Sequence, residues 1–208
     1  TISIHVHIQA YIQVLTTSEL QHIRIWKYDI TLGKDSKDGI LLFGTNACGK
    51  STLMKSVGLS LVLAQAGMFV PCEEFIYYPY NYLFTRILGN DNLFKGLSTF
   101  AVEMLELKTI LNQCDENSLV LGDELCSGTE TTSAISIFLT GIDYLYRKQS
   151  SFIFATHFHE IVNYEEIEEK EKLSLKHLTV LYDKSTHHLI YDRKLKDGPG
   201  ESMYGLEV

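Results

Sequence analysis

The stretch Ile40-Leu41-Leu42-Phe43-Gly44-Thr45-Asn46-Ala47-Cys48-Gly49-Lys50-Ser51-Thr52 decides the fold of this chain. Its four apolar residues predict a buried strand, and the next eight fit the phosphate-loop pattern G-x-x-x-x-G-K-[ST]. An apolar run over residues 53–70 follows, long enough for a helix of about four turns. Strand, glycine loop and helix in this order are the context that the motif requires. A glycine-rich turn with an exposed lysine is the alternative, but the complete pattern favours binding of a nucleoside triphosphate.

The predicted loop offers several kinds of phosphate contact. Gly44 and Gly49 allow a tight turn and let backbone N–H groups approach a phosphate closely. The N-terminus of the following helix adds a partial positive charge. We expect Lys50 to reach the β- and γ-phosphates and the Ser51 hydroxyl to bind Mg²⁺. The predicted binding residues are Gly44, Thr45, Asn46, Ala47, Cys48, Gly49, Lys50, Ser51 and Thr52.

A second predicted strand, residues 118–122, ends in the adjacent carboxylates Asp123 and Glu124. A hydrophobic strand ending in this way, well after a phosphate loop, is typical of a Walker B motif. Asp123 is expected to hold the Mg²⁺ shell, and Glu124 to orient and deprotonate the attacking water. An Asp-Glu pair on its own is usually a solvated turn, but the loop and the strand favour catalysis here.

A third apolar segment, residues 151–155, ends in Thr156-His157. Ligand groups gather at the carboxyl ends of the strands in a parallel sheet. There His157 could sense the γ-phosphate or hold the attacking water. His157 and His159 could instead bind a metal ion, but residues two apart diverge on a helix, which argues against that site.

Charge and hydropathy restrict the partners of the chain. The net charge of −8 argues against this chain providing the main DNA-binding surface, because affinity for phosphates comes largely from clustered Lys and Arg. The most apolar stretch, residues 57–70, is interrupted by Ser60 and Gln65 and is too short to span a membrane. No signal peptide is visible in this sequence. Because the chain opens on Thr1, we expect an excised domain.

The four cysteines form no Cys-x-x-Cys pair, which argues against a disulfide framework or a zinc ribbon and favours an intracellular, reducing compartment. Cys48 lies inside the phosphate loop. A helix N-terminus should lower the pKa of its thiol, so alkylation of Cys48 is predicted to block nucleotide binding.

The remaining segments predict strands and helices around this centre. Apolar residues at every even position of residues 2–14 predict one long strand or two in succession. Residues 29–32 and 40–43, joined by a polar turn, predict an antiparallel hairpin. Residues 98–111 and 133–147 predict helices. Alternation in residues 175–182 and 188–193 predicts a two-stranded antiparallel unit.

Two side-chain assignments stay open at this point. Trp26 or Tyr28 could stack on an adenine ring, although core packing is the simpler interpretation for Trp26. His5 and His7 share one face of the first strand and could bind a metal ion, although a solvated polar face is the simpler interpretation.

These motifs together resemble the ATPase domain of the MutS mismatch-repair family. Residues 44–52 are similar to the family loop Gly-Pro-Asn-Met-Gly-Gly-Lys-Ser-Thr, with Thr45, Ala47 and Cys48 replacing Pro, Met and Gly. The other segments that match in order and spacing are residues 67–72, Phe84-Thr85-Arg86-Ile87, Gly96-Leu97-Ser98-Thr99-Phe100, Glu103-Met104, Asp123-Glu124, Gly128-Thr129, Ala155-Thr156-His157 and Ser202-Met203-Tyr204-Gly205. The sequence of residues 123–130 resembles that of the divergent branch of the family known from large DNA viruses.

The resemblance implies an α/β fold of the P-loop NTPase class, an ABC-type ATPase with a central, mostly parallel sheet flanked by helices plus antiparallel strands. Residues 29–208 would form the ATPase domain, with its C-terminal dimerisation part truncated. Residues 1–28 would be lead-in strands or the end of a preceding domain. ATP and Mg²⁺ would be buried between two such domains of a homodimer or heterodimer. Ser98 would reach the γ-phosphate of the opposite subunit, and residues 128–131 would carry the signal across the interface.

The predicted function is ATP hydrolysis that switches a clamp on mismatched double-stranded DNA, which domains outside this chain would hold. A MutS-like protein of recombination or branched DNA, or another ABC-type chromosome ATPase, is the alternative within the same fold. A nucleotide-gated dimerisation module with negligible turnover is the alternative of another class, and Glu124 argues against it. The sequence does not distinguish nucleus, cytoplasm and organelle.

Overall fold

The structure is a computed structural model that describes residues 3–12, 24–33, 36–87, 99–126, 130–183 and 188–200. Side chains are described in residues 27–33, 36–87, 100–126, 130–182 and 188–200. The predicted roles of Ser98, of residues 128–129 and of residues 202–205 therefore fall outside the described part.

The described part is an α/β structure with strands and helices alternating through its centre. Its strands are β1 (Ser3–Ile12), β2 (Arg24–Gly33), β3 (Gly39–Phe43), β4 (Cys72–Ile76), β5 (Tyr82–Arg86), β6 (Ser118–Asp123), β7 (Ser151–Thr156), β8 (Leu173–Leu178), β9 (Leu181–Asp183), β10 (His188–Ile190) and β11 (Leu195–Asp197). Its helices are α1 (Lys50–Gln65), α2 (Thr99–Gln113), α3 (Thr131–Arg147) and α4 (Glu165–Glu168), with a 3-10 helix at His159–Asn163.

The main sheet has six strands in the order β11-β8-β3-β7-β6-β5. Every neighbouring pair is parallel except β11 with β8. All residues of β3, β6 and β7 are buried, as expected for parallel strands that are covered on both faces. The predicted α/β class with a mostly parallel central sheet and additional antiparallel strands is confirmed.

The two faces of the sheet are covered by different helices. On one face α1 packs through Leu53, Met54 and Val57 against alternate residues of β3, β6 and β7. On the other face α2 and α3 pack against the intervening residues of the same strands, with Ile110 and Phe138 among the contacts. The sheet is thereby fixed between two apolar layers, and its carboxyl edge is left to the loops that follow β3, β6 and β7.

The first strand extends over Ser3–Ile12 as one element, which agrees with the predicted long strand. It pairs with β2 on one side and β4 on the other, both antiparallel. The expected hairpin between residues 29–32 and 40–43 is wrong. β3 lies in the main sheet instead, between two parallel partners, because a fully buried strand needs ladder partners and cover on both sides.

The predicted two-stranded unit near the end of the chain is confirmed only over its shorter part. β9 pairs with β10 in antiparallel fashion. Residues 175–178 belong instead to β8, which joins the main sheet parallel to β3. Within the described ranges, no helix has the length and apolar character needed to cross a bilayer.

Candidate nucleotide-binding site

Three strands of the main sheet end side by side at one edge. β3 and β7 are neighbours with Phe43 opposite Thr156, and β6 lies on the other side of β7 with Asp123 opposite Ala155. The parallel register therefore brings the glycine loop, the two carboxylates and His157 to the same edge. This is where the carboxyl ends of an open α/β sheet place ligand-binding residues.

The glycine loop, residues 44–49, connects β3 to α1 through three left-handed residues. Gly44, Ala47 and Gly49 have φ of 143°, 63° and 111°. A Cβ atom on Gly44 would lie 2.7 Å from Sγ of Cys48, so this position is restricted to glycine by both conformation and space. Gly49 is the N-cap of α1 and has no side chain that could accept hydrogen bonds from the backbone N–H groups of the first turn. These backbone donors therefore keep their capacity for an anion.

Lys50 lies under the loop and points to its carbonyl groups. Its Nζ donates to the carbonyl oxygens of Gly44 at 2.6 Å and Thr45 at 3.1 Å. The residue is only 4% exposed, and its Nζ lies 3.9 Å from Oε1 of Glu124. The buried Lys50 ammonium group thus lies between the glycine loop and the Glu124 carboxylate, which directly follows β6.

Glu124 begins a strained turn after β6. It has φ of 49° and Cys126 has φ of 67°, both in the left-handed region that non-glycine residues rarely adopt. The Glu124 N–H donates to the carbonyl oxygen of Ala155 at 3.1 Å. Its Oε1 atom lies 2.6 Å from Nε2 of His157. Backbone strain of this kind concentrates at functional sites, where the surroundings hold it in place.

A cavity of about 370 Å³ opens between the loop and Glu124. Its lining includes most of the residues predicted for nucleotide binding, together with the predicted base: Thr45, Asn46, Ala47, Gly49, Lys50, Ser51, Thr52 and Glu124. Gly44, Cys48 and His157 are not among the residues that line it, but His157 contacts Glu124, which is.

Arg193 also lines this cavity, although sequence reasoning did not select it. It follows β10, where its N–H donates to the carbonyl oxygen of Thr179 at 2.9 Å. Its guanidinium carbon lies 5.9 Å from the ring centre of Tyr191. Its sequence neighbours include charged residues of the kind found at any solvated strand end. No local pattern therefore distinguishes Arg193 as a binding residue. Arg193 is the second cationic side chain at the cavity after Lys50, and it reaches the site because the chain returns to the glycine loop.

Asp123 is 5% exposed, and its Oδ1 atom is buried without a hydrogen-bond partner among the described residues. A buried carboxylate oxygen of this kind is costly unless a cation or a donor satisfies it. Carboxylate and hydroxyl oxygens are the ligands that Mg²⁺ prefers. The donor set predicted from the sequence, Asp123 and Ser51, therefore fits a magnesium ion.

The predicted lowering of the Cys48 pKa is wrong, whereas the predicted effect of alkylation on nucleotide binding stays a prediction. The thiol is fully buried, and this burial raises its pKa above the ordinary value of 9.0 although Lys50 acts in the opposite direction. Desolvation of the thiolate raises the pKa by more than Lys50, Arg193 and the backbone hydrogen bonds lower it. Cys48 is therefore a packing residue beneath the loop, in contact range of Gly44, and not an exposed nucleophile.

The two assignments that the sequence left open concern an adenine contact and a metal site. Tyr28 is 2% exposed within the core on the α1 side of the sheet and does not line the cavity, so stacking on an adenine ring is excluded for it. The side chains of Trp26, His5 and His7 lie outside the described ones. Where side chains are described, no group of three or more His, Cys, Asp or Glu residues could hold a metal ion.

Comparison with known proteins gives a consistent result. The family model described as MutS domain V matches residues 40–208. A protein of Acanthamoeba polyphaga mimivirus, named as a homologue of the DNA mismatch repair protein MutS, is 48% identical over 185 residues. That alignment covers 88% of this chain and 16% of the viral protein.

Cellular relatives are also similar. The mitochondrial DNA mismatch repair protein MutS homologue of Sarcophyton glaucum is 46% identical over 170 residues, which are 82% of this chain and 17% of the relative. The DNA mismatch repair protein MutS of Petrotoga mobilis is 41% identical over 181 residues, which are 86% of this chain and 22% of the relative. The chain therefore spans about a fifth of the length of these relatives.

Proposed function

This chain belongs to the MutS family, whose domain V it matches, and we propose that it binds and hydrolyses ATP with Mg²⁺ at the cavity beside the glycine loop. In this proposal the domain is a P-loop NTPase of the ABC type. The glycine loop is its Walker A motif, and β6 with Asp123 and Glu124 is its Walker B motif.

One observation carries the proposal. The buried Lys50 ammonium group lies 3.9 Å from the Glu124 carboxylate, and both face one cavity that the glycine loop also lines. A lysine and uncapped helix N–H groups supply what the phosphates need, and a carboxylate supplies a base for water. A loop that served only as a strand-to-helix connection would need neither group.

Each residue then has a definite task. The N–H groups of the loop and of the first turn of α1 bind the phosphates, and Lys50 exchanges its carbonyl partners for phosphate oxygens. Ser51 and Asp123 hold Mg²⁺, which when bound neutralises charge on the phosphates. Glu124 orients a water molecule and accepts its proton. His157 holds the Glu124 carboxylate in position through the contact between Nε2 and Oε1.

The wider activity is proposed from the family. Two copies of the domain, as a homodimer or heterodimer, would enclose ATP, with Ser98 reaching the γ-phosphate of the opposite subunit. Hydrolysis would switch a clamp on mismatched double-stranded DNA. The curated relatives are named as mismatch repair proteins, and their additional length leaves room for domains that bind DNA. The charge of −8 fits a domain that leaves DNA to those other parts.

Replacement of Glu124 by Gln in the full-length protein tests the proposal. ATP affinity should stay within about threefold, while turnover falls by roughly 10²-fold or more, because an amide cannot accept the proton. Glu106→Gln, on the exposed side of α2, is the control and should leave both quantities unchanged. Undiminished turnover in the Glu124 variant would remove it as the base. Binding of ATP without turnover in the unsubstituted protein would favour a nucleotide-gated dimerisation module.

A gel-shift assay separates the two DNA-directed alternatives. The full-length protein is offered mismatched, branched and perfect duplexes at a stated salt concentration, since non-specific affinity depends strongly on salt. Preference for the mismatch supports mismatch repair. Preference for the branched duplex supports a recombination protein with the same ATPase domain.

A further inference from the structure

Glu103 is a buried carboxylate that the proposed reaction does not yet use. It lies on α2, four residues after the first residue of that helix, and is 7% exposed. Its Oε1 atom accepts a hydrogen bond from the N–H of Cys126 at 2.7 Å, and both residues are buried. The contact joins two elements that are 23 residues apart in the chain.

The acceptor reaches the turn that carries Glu124. Glu124 and Cys126 both have left-handed φ, which non-glycine residues adopt at a cost and keep only where the surroundings fix them. The Glu124 N–H is held by the carbonyl oxygen of Ala155, and the Leu125 side chain is buried in the apolar layer of α2 and α3. The Cys126 N–H is held by Glu103. The turn is therefore fixed at its beginning, in its middle and at its end.

A hydrogen bond to a charged acceptor is stronger than one between neutral groups, and a buried N–H left without a partner is costly. Loss of the Glu103 carboxylate would release the Cys126 end of the turn. The strained residues could then relax toward ordinary φ values. Because Glu124 is itself one of these residues, its side chain would move relative to Lys50 and His157.

We propose that Glu103 is a positioning residue that fixes the turn over residues 124–126 and thereby presents the Glu124 carboxylate to the cavity. The role rests on the proposed function, in which Glu124 is the general base. Glu103 acts through the backbone of Cys126 and does not touch the nucleotide. The hydrogen bond between Glu103 and Cys126 also connects α2 to the turn after β6, so a displacement of this helix would shift Glu124.

The test compares two substitutions in the full-length protein. Glu103→Met keeps similar volume but removes the acceptor, and Glu103→Gln keeps an oxygen that can accept the Cys126 N–H. Turnover should fall by about tenfold to 10²-fold in the Met variant, since small misplacements of a catalytic group have effects of this size. ATP affinity should change by less than about threefold, because the phosphate contacts are unaltered. The Gln variant should stay close to the unsubstituted protein in both quantities.

Glu106→Gln is the matched control on the same helix, since Glu106 has a half-exposed side chain paired with Arg86 at 3.0 Å. It should change neither turnover nor affinity. Turnover of the Met variant equal to that of the unsubstituted protein would overturn the proposal. So would equal loss of affinity and turnover, or equal impairment of the Gln and Met variants.

Hydrogen exchange supplies a readout that does not depend on hydrolysis. The Cys126 amide should exchange slowly in the unsubstituted protein, and faster in Glu103→Met but not in Glu106→Gln. Rapid exchange of the Cys126 amide in the unsubstituted protein would show that Glu103 does not fix the turn. This result does not depend on whether a variant folds. Failure of the proposed function is recognised separately, as undiminished turnover in Glu124→Gln. The exchange data then still decide whether Glu103 fixes the turn.

Discussion

The Nε2 atom of His157 lies 2.6 Å from Oε1 of Glu124, and the same oxygen lies 3.9 Å from Nζ of Lys50. The imidazole follows β7, the carboxylate follows β6 and the lysine begins α1, so three separate elements meet at one oxygen atom. Because these contacts hold Oε1 of Glu124, they also fix the direction in which its other carboxylate oxygen points. His157 therefore determines how Glu124 is presented to a water molecule.

Replacement of His157 by Ala should lower turnover by about 10²-fold, because the base loses the group that orients it. ATP affinity should change little, since His157 does not line the cavity. Steady-state hydrolysis and equilibrium nucleotide binding measure the two quantities. His188→Ala, at an exposed position of β10, is the control. A large loss of affinity in the His157 variant would instead assign it to direct phosphate binding.

Asp123→Asn should have opposite effects on stability and on binding. In the nucleotide-free protein it replaces a buried negative charge by a neutral amide, which should raise the free energy of unfolding by about 1 kcal/mol. The gain in ATP affinity that Mg²⁺ provides should disappear, because the carboxylate ligand is lost. Denaturant unfolding without nucleotide and binding titrations with and without Mg²⁺ test the two parts. A variant that keeps the full Mg²⁺ effect would exclude Asp123 as a ligand.

The glycine loop and the strand-end carboxylates could be predicted because their signals are local. Glycines at fixed spacing, an apolar strand before them and an apolar helix after them describe one continuous segment of chain. The meeting of Lys50 with Glu124 then follows from a simple rule, since parallel strands place their carboxyl ends at one edge. Nothing beyond the three strand ends was needed to predict this part of the site.

The errors come from effects that depend on distant parts of the chain. A polar turn before β3 suggested a hairpin, but the choice of strand partner is set by burial of β3 on both faces. The thiol of Cys48 looked activated by its helix, but burial outweighs that field. Arg193 reaches the cavity only because β8 joins the main sheet and returns the chain to the loop. None of these effects leaves a pattern in neighbouring residues.

Arg193→Ala should weaken ATP binding by about tenfold, the effect expected for loss of one charge-assisted contact in a nucleotide site. Turnover at saturating ATP should be retained, because Glu124 and His157 are untouched. Lys194→Ala is a matched control, since the neighbouring cation is largely exposed and pairs with Asp192 at 3.0 Å. Equal ATP affinity in the Arg193 variant and the unsubstituted protein would show that this guanidinium contributes only to the shape of the cavity.

Glu130 makes the start of α3 dependent on pH. Its carboxylate is the N-cap of the helix and accepts hydrogen bonds from the N–H groups of Ser133 and Thr132, each at 3.1 Å. These bonds, together with hydrogen bonds from the side chains of Thr132 and Ser133, lower the pKa of Glu130 from 4.5 to about 2. Because the pKa is lowered in the folded protein, the resulting stability is fully present above pH 4.5 and is lost as the pH falls toward 2.

Glu130→Gln should therefore lower the free energy of unfolding at neutral pH, and its difference from the unsubstituted protein should shrink as the pH falls from 4.5 toward 2. Denaturant unfolding at a series of pH values measures this difference. Ser136→Ala, at an exposed position of the same helix, leaves every hydrogen bond to the Glu130 carboxylate in place and should show the pH dependence of the unsubstituted protein. A difference that stays constant over this range would mean that the carboxylate charge contributes nothing to the cap. The position of α3, which packs against β6 and β7 beneath the site, would then be set by its apolar face alone.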